Sequence, residues 1–73
     1  MHNHRLYEVR SDRNVGGWKV VTGKGKCVRR CQTRREAESV GRDRARTAAN
    51  EFGFKTTLRI RNSDGTVSEE RSY

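Results

Sequence analysis

The chain has 73 residues, of which 30% are hydrophobic and 36% are charged, and its formal net charge is +8 at pH 7. A chain this short and polar forms one domain, residues 1–73, with a marginal core. We therefore expect a bound partner or a dimer interface to supplement that core, and monomer and homodimer both stay open. The charge favours an anionic partner, and no apolar run approaches the roughly 20 residues needed to cross a membrane.

The N-terminal residues 1–5 are predicted to be frayed. They lack the apolar segment of a secretory signal, so the expected location is the cytoplasm. The first strand is predicted at residues 6–10, where the alternation of side chains places Tyr7 and Val9 on the face toward the core.

Two more strands are predicted before the helix. A loop rich in turn-forming residues precedes the second strand, at residues 17–22, in which Trp18 and Val20 face inward. A turn of glycine and lysine then leads to a short third strand at residues 27–30, which brings Val28 to the core.

The only predicted helix spans residues 34–52. Thr33 is its N-cap, Glu36 completes a capping box, and Gly53 ends the helix. One face of this helix is apolar and mostly small, and it comprises Ala37, Val40, Gly41, Ala45, Ala48 and Phe52. We expect this face to lie close to the sheet, with Trp18 and Phe52 filling the space that remains.

Two strands follow the helix. Residues 55–61 alternate cleanly, and the inward positions are Thr56, Leu58 and Ile60. The Asp-Gly pair at 64–65 favours a tight hairpin turn, and the last strand, residues 66–73, is held by Val67 and Tyr73. The prediction is an α+β fold of order β-β-β-α-β-β, with one antiparallel sheet packed against a single long helix.

Short motifs along the chain resemble those of the small prokaryotic domain-of-unknown-function 2188 family. They are Tyr7-x-Val9, Gly16-Gly17-Trp18, Thr33-x-x-Glu36-Ala37, Leu58-x-Ile60, Asp64-Gly65-x-Val67 and Ser72-Tyr73. The resemblance covers residues 7–73 and implies the same fold, but its motifs are structural and imply little about activity. The sequence departs from the family pattern at Cys31, where an aromatic residue is usual, and at Arg44, where leucine is frequent.

A weaker, fold-level resemblance concerns the first three strands and the helix. The opening Tyr7-x-Val9, the strand containing Trp18 and the helix start Thr33-x-x-Glu36-Ala37 are similar to the DNA-binding domain of plant ethylene-response factors. In that family the outer face of the sheet lies in the DNA major groove. The likeness implies a surface at which to look for a site and is an analogy of fold only.

Basic residues form the main functional signal. Arg35, Arg42 and Arg46 are spaced by seven and four residues, so they are predicted to share one exposed helix face. A second set is predicted on the outer face of the sheet and comprises Lys19, Arg59 and Arg61, together with Arg29.

These residues predict binding to nucleic acid, DNA or RNA, with little sequence specificity. Guanidinium groups bind phosphate, and each phosphate that they neutralise releases counterions. Because Tyr7, Trp18 and Phe52 are expected in the core, we expect no exposed aromatic side chains for base stacking. The competing interpretation is a solvated basic surface that keeps a marginal domain soluble.

Other chemistries have less support in the sequence. His2, His4, Cys27 and Cys31 lack the spacing of a zinc site, so no metal or other cofactor is expected. Cys27 and Cys31 on an extended strand lie about 13 Å apart, too far for a disulfide. No cysteine has an evident base and no catalytic set is present, so we expect a non-enzymatic protein.

A protein-binding module is the alternative to a nucleic-acid-binding one. A basic domain of this size would bind an acidic patch on a protein partner, and an unpaired edge strand would extend that partner's sheet. Such modules occur among bacterial and phage accessory proteins.

Overall fold

The computed structural model describes residues 4–73 and contains each of the predicted elements. They are β1 (His4–Ser11), β2 (Trp18–Thr22), β3 (Cys27–Cys31), α1 (Arg34–Phe52), β4 (Lys55–Arg61) and β5 (Val67–Ser72). The strands form one five-stranded sheet in the order β3-β2-β1-β4-β5. The helix contacts β1 to β4 on one face of this sheet. The α+β fold and the order β-β-β-α-β-β are confirmed.

The sheet is mixed, and the prediction of an antiparallel sheet is wrong at its centre. Strands β1 and β4 pair in parallel, with Tyr7 opposite Leu58, whereas the other three neighbouring pairs are antiparallel. The cause is the crossover helix: α1 carries the chain back along the sheet, so that β4 runs in the same direction as β3 and β1. Side chains alternate in the same way in both kinds of pair, and the sequence pattern therefore does not separate them.

The N-terminal strand is longer than predicted. His4 and Arg5, which were expected to be frayed, pair with Lys55 and Thr56 at the start of β4. The other predicted frayed residues, 1–3, lie outside the described residues.

The helix begins and ends where its capping residues predict. The side-chain oxygen of Thr33 accepts a hydrogen bond of 3.1 Å from the backbone N–H of Glu36, and Gly53 has the left-handed conformation at φ 70°. The small face of α1 lies directly on the sheet. A Cβ atom built at Gly41 would lie 2.9 Å from Cδ1 of Leu58, so any larger residue there would have to displace this side chain.

The core lies between α1 and the inner face of the sheet. Its buried residues are Val9, Val20, Cys31, Ala37, Ala45, Leu58 and Ile60. Tyr7, Trp18, Val28, Val40 and Tyr73 pack around them as predicted.

Two residues expected in the core are exposed. Phe52 is 66% exposed because Ala48 is the last buried residue of α1, so that the final helical turn extends past the core. Val67 is 46% exposed because the register of β4 and β5 shifts at Arg61. Val67 pairs with Arg61 on the face away from the helix, and a shift of one residue moves a side chain to the opposite face of a sheet.

Candidate functional site

The outer face of the sheet is organised around the buried carboxylate of Glu8. This residue is 3% exposed and lies opposite Arg59 in the parallel β1–β4 pair. Arg59 Nη1 donates to Glu8 Oε2 at 3.2 Å, Arg61 Nε donates to the same oxygen at 3.1 Å, and Arg10 donates to Oε1. Arg59 also binds Glu70 at 2.8 Å. The two arginines of β4 that were predicted as phosphate ligands are therefore bound to carboxylates of their own chain.

The charge of Glu8 is stable at neutral pH. Burial alone would raise the pKa of this carboxyl, but hydrogen bonds and charge attraction from Arg10 and Arg61 outweigh it and hold the pKa below its ordinary value. The carboxylate thus stays ionised and fixes its arginines in place.

An open cleft of 510 Å³ lies beside this cluster at one end of the sheet. Its charged lining residues are Arg10, Asp12, Arg13, Lys19 and Arg61. Asp12 is already bound to Arg30 at 2.6 Å, and Arg61 is bound to Glu8. Among residues 4–73, Lys19 and Arg29 of the predicted sheet set have no carboxylate within ion-pairing distance, and of these two only Lys19 lines the cleft.

Arg29 does not lie on the outer face, and the prediction that grouped it with Lys19 is wrong. It pairs with Val20, whose side chain is in the core, and it lines a small cleft beside the helix with Asp43 and Arg44. Arg30, the next residue, pairs with Lys19 instead. Strand β3 is short and rich in arginine, so its sequence does not alternate between polar and apolar residues. The alternation that would show which residues face the core is therefore missing.

The helix face carries three cations that the described carboxylates leave unpaired. At 3.6 residues per turn, Arg35, Arg42 and Arg46 point within about 40° of one another. Arg35 and Arg46 are exposed and Arg42 is half-buried. Within the described part of the chain, none of the three lies within ion-pairing distance of a carboxylate.

An aromatic cluster at the C-terminal end of α1 was missed by the sequence analysis. The rings of Phe52 and Phe54 are stacked, with centroids 6.3 Å apart, and the guanidinium carbon of Arg5 lies 4.3 Å from the centroid of Phe54. The available signal was Gly53: a residue that ends a helix separates two phenylalanines, so at least one of them lies outside the regular helix.

Neither metal-binding nor thiol chemistry has a built site in the described residues. Among residues 4–73, no three His, Cys, Asp or Glu side chains are grouped to hold a metal ion, and His2 lies outside this range. Cys27 is exposed and Cys31 is buried, and both thiols are free. Burial, with the nearby charge of Glu36, raises the pKa of Cys31 and keeps this thiol protonated. Nor is any helix in this part of the chain long and apolar enough to cross a membrane.

Fold and surface together define a small basic α+β domain with one helix on a mixed five-stranded sheet. A family model described as "Uncharacterized protein conserved in bacteria (DUF2188)" matches residues 7–73. The chain belongs to this bacterial family, which confirms the resemblance drawn from its motifs. A search among curated proteins and a search among solved structures each gave no match.

Proposed function

We propose that this domain is a non-enzymatic module that binds nucleic acid with little sequence specificity, through the helix face formed by Arg35, Arg42 and Arg46. The observation that carries the proposal is the absence, within residues 4–73, of a carboxylate partner for any of these three guanidinium groups. On a chain of net charge +8, they are free to form bidentate contacts with phosphate.

The position of Arg35 supports a ligand-binding role. It lies in the first turn of α1, where the helix dipole is unfavourable to a cation by about 0.3–1 kcal/mol. In contrast to Arg35, its neighbour Arg34 is fixed by Glu38, by Asn62 and by the ring of Trp18. A phosphate bound at Arg35 would remove the unfavourable interaction.

The sheet set is the weaker surface for the same ligand. A phosphate that approaches Arg59 or Arg61 competes with Glu8, which already accepts hydrogen bonds from both. Lys19 and the cleft beside it remain as a secondary contact. Contacts to phosphate carry no sequence information, which is why we propose tolerant rather than base-specific binding.

The proposal is tested by fluorescence anisotropy with labelled duplexes of two unrelated sequences, at salt concentrations from about 50 to 200 mM. We expect similar affinities for both sequences and a negative slope of log K against log salt. Each lost phosphate contact makes that negative slope shallower by about 0.9. The double variant Arg35→Gln/Arg46→Gln should therefore reduce the magnitude of the slope by up to about 2.

Arg29→Gln/Arg44→Gln is the matched control, because it removes the same charge from two exposed residues that line the cleft on the other flank of α1, with Arg44 about 200° around the helix from Arg42. It should keep the wild-type slope and lose only the small affinity that follows from lower net charge. Equal slopes in the two double variants would contradict the helix face as the binding surface. Absence of binding near 50 mM salt, or binding that does not depend on salt, would contradict nucleic-acid binding altogether.

An acidic protein partner is the second candidate, since the same free arginines would pair with its carboxylates. The sheet edges do not favour strand addition: β5 carries Glu69, Glu70 and Arg71, and β3 carries Arg29 and Arg30, and charged edges resist pairing. Capture from a lysate separates the two candidates. A partner that is lost on nuclease treatment supports nucleic acid, and one stoichiometric protein that is retained supports the alternative.

A further inference from the structure

Phe52 and Phe54 form an apolar patch at the C-terminal end of α1, where Phe52 is exposed and Phe54 is half-buried. Phe52 is 66% exposed and packs against Phe54 with an angle of 26° between the ring planes. Exposing a phenylalanine forgoes the burial that normally makes this residue stabilising. The backbone nevertheless fixes the position of Phe54 relative to the helix. Gly53 reverses the direction of the chain, and the backbone N–H of Phe54 donates to the carbonyl oxygen of Ala48 at 3.0 Å.

A cation accompanies the rings. The guanidinium of Arg5 lies over Phe54, and Arg5, Tyr7 and Ala48 complete an open cleft of 370 Å³ beside the two rings. An aromatic face and a guanidinium plane in one cleft are the two groups on which a nucleobase stacks.

The surroundings of this cleft are strongly positive. It shares Arg5 and Tyr7 with a neighbouring cleft that contains Lys24 and Lys26, and that cleft shares His4 with a third one that contains Lys55. Within the described residues, no Asp or Glu side chain lines any of these three clefts. This end of the molecule therefore combines one exposed and one half-buried ring with cations whose charge no Asp or Glu side chain of the described residues offsets within the clefts.

We propose that Phe52 and Phe54 are a stacking platform for the bases of a single-stranded nucleic acid, whose phosphates are bound by Arg5, Lys24, Lys26 and Lys55. The inference rests on the nucleic-acid binding proposed above and adds a second contact surface at the opposite end of α1 from Arg35. A duplex does not use the platform, because its bases are stacked on one another and hide their faces. A second copy of the chain is a poor occupant, because the contact would bring the same four cations together from both copies.

The experiment measures anisotropy of a labelled single-stranded oligothymidylate and of a duplex of the same length. Phe52→Ala should weaken binding of the single strand by about 5- to 150-fold, the cost of one lost stacking contact, and should leave duplex binding within about 2-fold. Phe52→Trp, which keeps an aromatic face, should restore it. Because Phe52 is exposed, circular dichroism should show an unchanged fold for both variants.

Val15→Ala is the control, since Val15 is 69% exposed and lies in the β1–β2 loop away from the platform. It should change neither affinity. If the wild-type protein binds the single strand and Phe52→Ala binds it equally well, the platform is wrong while nucleic-acid binding stands. If the wild-type protein binds no probe, both proposals fail. If sedimentation shows a dimer that Phe52→Ala dissociates, a second copy occupies the patch and the inference is wrong.

Discussion

Glu8 and Arg61 are 53 positions apart, yet Nε of Arg61 lies 3.1 Å from the buried carboxylate of Glu8. The contact is possible because β1 and β4 are neighbours at the centre of the sheet. Burying a carboxylate is costly unless it is paired and hydrogen-bonded. The cluster around Glu8 therefore ties the N-terminal and C-terminal parts of the chain together.

Glu8→Gln should lower the free energy of unfolding by about 1.5–3 kcal/mol, the range for hydrogen bonds that involve charged groups. The amide keeps the shape of the side chain but loses the charge that holds Arg10, Arg59 and Arg61. Urea denaturation at neutral pH measures the effect.

Glu70→Gln is the control for this variant. Glu70 also binds Arg59, at 2.8 Å, but its side chain is 49% exposed, and exposed ion pairs contribute about 0–1 kcal/mol. If the two variants lost similar amounts of unfolding free energy, burial of Glu8 would add nothing to the strength of its ion pairs.

Stability should fall in acid more steeply for the wild-type chain than for Glu8→Gln. The pKa of Glu8 is lower in the folded chain than its ordinary value of 4.5, so the unfolded chain binds a proton more readily. The contribution of Glu8 to the free energy of unfolding is complete above pH 4.5, and it is lost as the pH falls through the pKa of Glu8 in the folded chain. The difference between the two chains, measured by urea denaturation from about pH 7 to pH 3, should therefore shrink at the acid end. A difference that stays constant over this range would contradict the lowered pKa.

Local signals account for what could be predicted of the fold. The ends of α1 depend on Thr33 and Gly53, whose effects extend over one turn, and the inward face of β4 follows from strict alternation. The parallel pairing of β1 with β4 could not be predicted, because it depends on the path of the crossover and not on either strand. Phe52 fits the apolar periodicity of α1, but the extent of the core under the helix is a tertiary property.

The same distinction applies to the candidate site. Spacing was enough to group Arg35, Arg42 and Arg46 on one face of a helix. It could not show that Arg59 and Arg61 are bound to Glu8, because that carboxylate lies more than fifty positions away. Which cations remain available to a ligand is therefore decided by long-range packing, even though the positive charge itself is evident from the sequence.

Gly41→Ala tests the close contact of helix and sheet. Alanine favours a helix by about 1 kcal/mol over glycine, but its Cβ would lie 2.9 Å from Cδ1 and 3.3 Å from Cγ2 of two buried residues, Leu58 and Val9. Overpacking a core costs about 1–3 kcal/mol, so we expect net destabilisation on the order of 1 kcal/mol in thermal or urea unfolding.

The exposed helix position Ser39 supplies the comparison for Gly41. Ser39→Ala should be neutral or slightly stabilising because it gains helix propensity without a clash. In a double variant with Leu58→Val, which removes the atom that alanine would meet, Gly41→Ala should cost less than it does alone. Stabilisation by Gly41→Ala alone would contradict the close approach.

Gly16 and Gly17 offer a matched pair in the loop before β2. Both have φ values in the left-handed region, +78° and +76°, where a side chain costs roughly 1–2 kcal/mol. They differ in their surroundings: a Cβ at Gly16 meets nothing within 4 Å, whereas a Cβ at Gly17 would lie 2.6 Å from the carbonyl oxygen of Cys31. That oxygen belongs to the backbone of β3 and cannot rotate away as a side chain could.

Gly16→Ala should therefore lower the melting temperature by about 4–16 °C, and Gly17→Ala should lower it further or prevent folding. The extra loss arises because Trp18 and Cys31 are directly paired, so relieving the contact would separate β2 from β3 at the edge of the sheet. Equal melting temperatures for the two alanine variants would show that backbone conformation alone sets the cost and that β3 gives way freely.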